Sequence, residues 1–238
     1  MGLFHAAMAV ITIKMSALAF VGSVIRSPAL FEWAQRGWAG LCLRAAGVRV
    51  RVTGVEHAPP DRAQVIVANH ASFFDVWALI HALPVKGRFV AKVELARVPV
   101  MARAMGSGGH LFVDRKRPVR ARRQIQDAAR DMRERKLTYL LFPEGTRSHD
   151  GEVGRFKFGA FALAIEARVP LVPAYIQGGF EVWPRGRGSI RPREIVIHLA
   201  PPVPLGGAEN LKRSEVAATV RRTMLALREK ATDQAPRG

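Results

Sequence analysis

Hydrophobic and polar positions fall into two regimes that meet near Gly47. Before it, Ala6–Ile13 and Met15–Ile25 are apolar runs, separated by Lys14, the one charged residue between Met1 and Ile25 with His counted neutral. A spanning helix wants about 20 uninterrupted apolar residues, and a central lysine costs roughly 2.5–3.5 kcal/mol. The run is therefore a poor spanning helix. A signal peptide fits worse, because no Lys or Arg precedes the apolar region. A second helix is predicted from Pro28 to Gly47, carrying Leu30, Phe31, Trp33, Trp38, Leu41 and Leu43 with Arg36 and Arg44 among them. Trp and Arg together suit the headgroup boundary of a bilayer. Residues 1–46 thus read as a membrane-associated helical hairpin, lying in one leaflet or crossing it. Two amphipathic helices packed on a globular core are the alternative.

After Gly47 the period changes. Val48, Val50 and Val52 alternate with Arg49, Arg51 and Thr53, which predicts a half-exposed strand. Further strands are predicted at 64–68, 88–91, 110–113, 137–142, 170–176 and 194–199. Between them, helices are predicted at 118–135, where Pro118 suits the first turn, at 157–168, and at 211–230 with Val216, Val220, Met224 and Leu227 on one stripe. Strands alternating with helices predict an α/β domain over 47–238, its central, mostly parallel sheet flanked by helices.

Composition narrows the partners. Lys and Arg number 37 against 19 Asp and Glu, a net charge of +18, while 49% of residues are hydrophobic. That pairing excludes a disordered polycation. The single cysteine, Cys42, excludes an intrachain disulfide and favours a reducing compartment. The positive excess points to an anionic partner: nucleic acid, a phosphate-bearing substrate or an anionic membrane surface. No helix-turn-helix, zinc finger or RNA-binding aromatic signature accompanies the charge, so nucleic acid is set aside.

Three segments carry chemistry. His70 follows the apolar strand Val65–Ala68 and Asn69, and precedes Ala71-Ser72-Phe73-Phe74-Asp75. Ser72 with Asp75 three residues later resembles a capping box, so a helix is predicted to start there. With His70 on the approach turn and Asp75 in the first helical turn, the carboxylate folds back to the imidazole and fixes its tautomer. An incidental histidine beside a capping Ser and Asp is the bland alternative. The second segment, Phe142-Pro143-Glu144-Gly145-Thr146-Arg147-Ser148, again follows an apolar run and offers an acid, a hydroxyl and a guanidinium fork in one turn. A solvated turn would look similar. The third contains Lys92, Glu94 and Leu95, then Asp114 and a block of basic side chains: Arg115, Lys116, Arg117, Arg120, Arg122 and Arg123. That block is either an anion patch or the solvated face of helix 118–135.

In this order the segments resemble the glycerolipid acyltransferase family, and lysophosphatidic acid (1-acylglycerol-3-phosphate) acyltransferases in particular. Asn69 to Asp75 resembles the family's NHxxxxD block, and Phe142 to Ser148 is similar to its FPEGTRS block. Lys92, Glu94, Leu95, Pro99, Gly106 and Val113-Asp114-Arg115 resemble the second block; Val169-Pro170-Leu171-Val172-Pro173 resembles the fourth, and Phe156–Ala160 a following helix start. The resemblance runs from about Val48 to Ile176. Departures are the glycine-rich Gly106-Ser107-Gly108-Gly109 and Ala174, where a valine is commoner.

The resemblance implies a catalytic pair, His70 and Asp75. It implies an acceptor site shaped by Arg115, Glu144, Gly145, Thr146 and Arg147, with Lys92 a further phosphate ligand. The implied reaction moves an acyl group from acyl-CoA or acyl carrier protein to the sn-2 hydroxyl of 1-acylglycerol-3-phosphate. A same-family enzyme acting on lyso-ornithine lipid, glycerol-3-phosphate or another lysophospholipid is the alternative. No cofactor and no metal is implied, there being no HExxH and no Cys/His cluster at ligand spacing. The implied location is a membrane, with the catalytic domain on the cytoplasmic face, as at the bacterial inner membrane. Acyl-chain length and oligomeric state are left open.

Overall fold

The computed structural model describes residues 2–97, 99–114, 117–186, 189–205 and 212–233, with backbone alone at 3, 92, 94, 95, 99–101 and 107. The strands are β1 (Arg49–Thr53), β2 (Gln64–Ala68), β3 (Gly87–Lys92), β4 (Leu111–Val113), β5 (Thr138–Leu141), β6 (Leu171–Gln177) and β7 (Glu194–Leu199). The helices are α1 (Gly2–Val24), α2 (Pro28–Ala45), α3 (Phe74–Ala82), α4 (Pro99–Ser107), α5 (Pro118–Arg135), α6 (Ala162–Ala167), α7 (Gly179–Val182) and α8 (Arg213–Asp233).

The strands make one sheet in the order β1-β7-β6-β2-β5-β3-β4. All neighbours are parallel except β6 and β7. Burial of both faces explains the near-continuous apolar sequence of the central strands. Every residue of β2 is buried. Val65 and Val67 join Tyr139, Leu141 and Leu171 under α5, α6 and α8. Ile66 and Ala68 join Leu140, Val172 and Ala174 under α2 and α3. The α/β class and mostly parallel sheet anticipated from the sequence are therefore present.

Two neighbouring strands send the chain to opposite faces. After β2 it enters α3 on one side; after β5 it passes a 3₁₀ turn (Phe158–Phe161) into α6 on the other. The carboxyl ends of β2 and β5 thus flank a topological switch point, where open α/β sheets bind ligands.

The N-terminal hairpin packs on itself and on the sheet. Ser27 caps α2, its hydroxyl accepting from the Leu30 amide at 3.3 Å, and Trp38 Nε1 donates to Thr12 Oγ1 at 3.1 Å. Ala19, Phe31, Ala34 and Ala104 bury one another between α1, α2 and α4. Outward, α1 leaves Val10, Ile13, Val21 and Val24 exposed along one stripe, with Lys14 beside them. By length and composition Phe4–Val24 is apolar enough to cross a membrane.

A polar network joins the hairpin to β3. Arg88 is buried and bonds to Glu32, to the Gly108 carbonyl and, at 2.8 Å, to the Gly87 carbonyl. Gln35 Nε2 donates to the Gly87 carbonyl at 3.0 Å, and Arg36 to the Val85 carbonyl at 2.9 Å.

The helices differ from the sequence pattern in several places. The segment 157–168 divides into the 3₁₀ turn and the short α6, and α4 and α7 are helices that the pattern did not suggest. The basic block behaves as a solvated face where it is described: Arg117, Arg120, Arg122 and Arg123 are exposed, and Arg117 meets Asp114 at 3.7 Å.

Candidate functional site

Three strands deliver side chains to the carboxyl edge of the sheet. Beyond β2, Asn69 prolongs the ladder to β6 with its side chain: its amide donates to the Ile176 carbonyl at 3.0 Å and its Oδ1 accepts from the Ile176 amide at 2.7 Å. This fixes the chain one residue before His70. The turn then closes on Asp75, whose Oδ2 accepts from the amides of Ala71 at 2.7 Å and Ser72 at 2.8 Å, and lies 2.9 Å from His70 Nδ1. The capping box is realised in altered form. The acid reaches back as the pattern suggests, while Ser72 Oγ accepts from Phe74, two residues on, at 3.3 Å and donates to the Trp183 carbonyl at 2.9 Å.

The imidazole is held on three sides. Asp75 takes Nδ1–H, so the other nitrogen, Nε2, carries the lone pair. The ring stacks on Phe142 from the end of β5, with centroids 4.0 Å apart and planes at 14°. The His70 carbonyl accepts from the Ser148 amide at 2.7 Å. Among the described residues Nε2 has no hydrogen-bond partner, and the side chain is 14% exposed, against 1% for Asp75. An oriented, partly open imidazole with a free basic nitrogen is the geometry of a general base.

The turn after β5 places its residues unequally. Glu144 is buried, with the backbone amides of Gly154 and His70 close to its carboxyl. Burial pushes its pKa up to about 7, and nearby Asp75 adds to that rise; the two amides and Arg221 work against it. Gly145 has φ +72°, a left-handed conformation that favours glycine, while the Lys157 side chain packed over it could swing aside from a Cβ. Thr146 is exposed. Arg147 lies with its guanidinium carbon 4.2 Å from the Phe73 ring centroid. Its pKa is lowered, first by partial burial and then by Arg185 close by.

Of the residues expected at the site, His70, Asp75, Glu144, Gly145, Thr146 and Arg147 lie on these two adjoining loops. Lys92 ends β3 on the same edge, but its side chain is outside the described residues, as is the whole of Arg115. Cys42 is buried in α2 with its thiol pushed up to about 12 by burial, so no thiolate is available for attack. Among the described residues no group of three or more His, Cys, Asp or Glu is placed to hold a metal.

The segment after β6 was not singled out by its sequence. Gly179 opens α7 against Asp75, and a Cβ there would lie 2.2 Å from Asp75 Oδ1. Arg185 follows, donating to Thr146 Oγ1 at 3.3 Å and His149 Nε2 at 3.0 Å. The available signal was positional: β6 is parallel to β2, so residues after Gln177 reach the same edge.

Fold and site together define an α/β protein with a histidine–carboxylate pair at a switch point beside a basic turn. Residues 49–177, more than half of the chain, match the model of the family described as Acyltransferase, and the chain belongs to that family. It is 34% identical over 188 residues to human 1-acyl-sn-glycerol-3-phosphate acyltransferase alpha, covering 79% of this chain and 66% of that protein. It is 31% identical over 164 residues to the 1-acyl-sn-glycerol-3-phosphate acyltransferase of Limnanthes douglasii, covering 69% and 58%. The chain thus spans about two thirds or less of the length of these relatives. The crystal structure of the 1-acyl-sn-glycerophosphate (LPA) acyltransferase PlsC from Thermotoga maritima superposes with a TM-score of 0.78, over 96% of this chain and 95% of that one, at 24% identity; the likeness shows a shared fold.

Proposed function

We propose that the protein transfers an acyl group from an acyl thioester, acyl-CoA or acyl carrier protein, to the sn-2 hydroxyl of 1-acylglycerol-3-phosphate, making phosphatidic acid. The observation that carries this is the His70–Asp75 pair at 2.9 Å with Nε2 open at the switch point. His70 Nε2 takes the hydroxyl proton as the oxygen attacks the thioester carbonyl. The tetrahedral intermediate then expels the thiolate, which recovers the proton from His70. Asp75 holds the tautomer and balances the imidazolium; base assistance of this kind is worth about 10²–10⁴ in rate. No acyl-enzyme is needed: Cys42 is buried, and the Ser72 hydroxyl is engaged with the Phe74 amide and the Trp183 carbonyl.

Arg147 faces the acceptor phosphate, with Gly145 and Thr146 shaping the turn that carries it and Glu144 anchoring that turn to the His70 backbone. Lys92 and Arg115, which the family resemblance assigns to the acceptor site, complete the basic side of this reading. The hairpin of residues 1–46 rests on the membrane through the apolar stripe of α1, and the domain 47–238 works at its cytoplasmic face, where the net charge of +18 favours anionic lipid.

Mass spectrometry of lipids made by the purified protein tests this, using labelled acyl-CoA and acyl carrier protein with a panel of acceptors. Labelled phosphatidic acid from 1-acylglycerol-3-phosphate is the expected product. Acylation of a different lipid in the panel moves the acceptor assignment, and release of free fatty acid without transfer refutes a transferase.

A further inference from the structure

We infer that Arg185 is a second guanidinium ligand of the acceptor's phosphate, closing with Arg147 a two-cation clamp beside His70. The inference rests on the proposed reaction and adds to it a residue outside the sequence blocks that suggested it.

The argument starts from charge. Arg185, tied to the turn that carries Arg147, lies close enough to disfavour the protonation of Arg147, yet neither makes a salt bridge among the described residues. Arg88, Arg135 and Arg228, by contrast, each meet a carboxylate: Glu32, Asp131 and Glu152. Two guanidiniums held together, with Asp75 acting on Arg147 only from beyond salt-bridge distance, are a site for a doubly charged anion, and a phosphomonoester takes such forks bidentately.

Both cations are positioned rather than free. Arg147 is laid on Phe73, the residue before α3. Arg185 is tied by Thr146 Oγ1 and His149 Nε2 to the turn on which Arg147 sits. The segment carrying Arg185 is itself fixed to the His70 turn at two points: Ser72 Oγ donates to the Trp183 carbonyl at 2.9 Å, and Gly179 packs on Asp75. An anion gripped by both arginines is therefore held in register with the base. The acyl donor also carries phosphate when it is a CoA thioester, and that is the other source the clamp's chemistry would accept.

Arg185→Gln separates the sources and the roles. The glutamine keeps an amide donor on a shorter side chain and removes the charge, so the preference between charged and uncharged acceptors, which loss of a structural tie alone would not change, identifies the role. The apparent KM for 1-acylglycerol-3-phosphate is expected to rise about tenfold or more, the size of one lost charge-assisted contact. The preference for that acceptor over uncharged 1-acylglycerol is expected to fall by the same factor. An acceptor KM within twofold of the parent overturns the inference, as does a rise confined to acyl-CoA and absent with acyl-pantetheine. If the parent protein itself does not acylate 1-acylglycerol-3-phosphate, it is the proposed function that fails, and phosphate-dependent retention of the parent but not Arg185→Gln on lysophosphatidate-bearing vesicles then decides the clamp by itself.

Discussion

His70 and His110 occupy comparable places and are treated in opposite ways. Each lies beside a strand of the same sheet, each uses Nδ1 in a hydrogen bond, and each has an aromatic ring stacked against it. His110 has both nitrogens engaged: Nδ1 accepts from the Phe89 amide at 3.2 Å and Nε2 donates to Gln35 Oε1 at 2.8 Å. Burial, with Arg88 nearby, holds its pKa down to about 3, so the ring stays neutral. His70 leaves Nε2 open, and beside it Asp75 Oδ1 and Glu144 Oε1 are buried without hydrogen-bond partners among the described residues. A saturated polar cluster specifies how elements fit together; one with spare valence at an open edge is poised for a reactant. The contrast separates mortar from machinery without appeal to motif.

The largest effect that would break this contrast concerns the two rings themselves. His70→Ala is expected to lower turnover by about 10³-fold or more, with a thermal midpoint close to the parent's, because the ring sits at an edge. His110→Ala is expected to cost about 2–4 kcal/mol of stability, since it opens a cavity and orphans the Phe89 amide, while the molecules that stay folded keep turning over. Turnover per folded molecule together with a denaturant titration checks both. Near-parental turnover in His70→Ala removes the base assignment, and equal turnover losses in the two variants erase the distinction.

A smaller effect sharpens the structural side. Glu32 is the carboxylate that meets Arg88 between α2 and β3. Glu32→Ala leaves a buried guanidinium held only by carbonyls, at a cost of about 2–4 kcal/mol. Replacing Glu32 and Arg88 together by Met is expected to recover much of that loss, because an apolar pair has no charge to desolvate. Chemical denaturation of the two variants reads the difference, and a double variant no more stable than Glu32→Ala would show that the pair does more than satisfy itself.

How far the sequence carried depends on whether a feature is local. Strand positions were legible from apolar runs such as Val65–Ala68, because a strand buried on both faces must be apolar throughout. The His70–Asp75 contact was legible because five residues and one helix start determine it. Glu144 was not: in a turn it reads as a solvated acid, yet it is buried beside the backbone of Gly154 and His70, residues distant from it in sequence. The role of Asn69 depends on β6 lying beside β2, which is sheet order and not pattern. Arg185 was invisible for the same reason. The segment 157–168 carried a helical pattern, but Phe158–Phe161 winds as a 3₁₀ turn before α6 takes over. Lys92 and Arg115 were assigned by resemblance alone.

Glu144 gives the smallest effect and the one that tests how the site is supported. Its pKa is raised from 4.5 to about 7, chiefly by burial. Between those values the folded protein holds a proton that the unfolded chain has released. Stability from this group is therefore fully present below pH 4.5 and is lost as pH rises through 7, by something on the order of 3 kcal/mol. Glu144→Gln keeps an oxygen for the His70 and Gly154 amides and cannot ionise. The thermal midpoint of Glu144→Gln relative to the parent is expected to climb from pH 5 to pH 8, the comparison cancelling every other titrating group. A difference that stays flat over that range would mean the carboxyl is ionised throughout and that the His70 turn rests on a permanent buried charge. A difference that climbs would mean the support behind the base is itself neutral at acid pH and gains its charge only as the pH passes about 7.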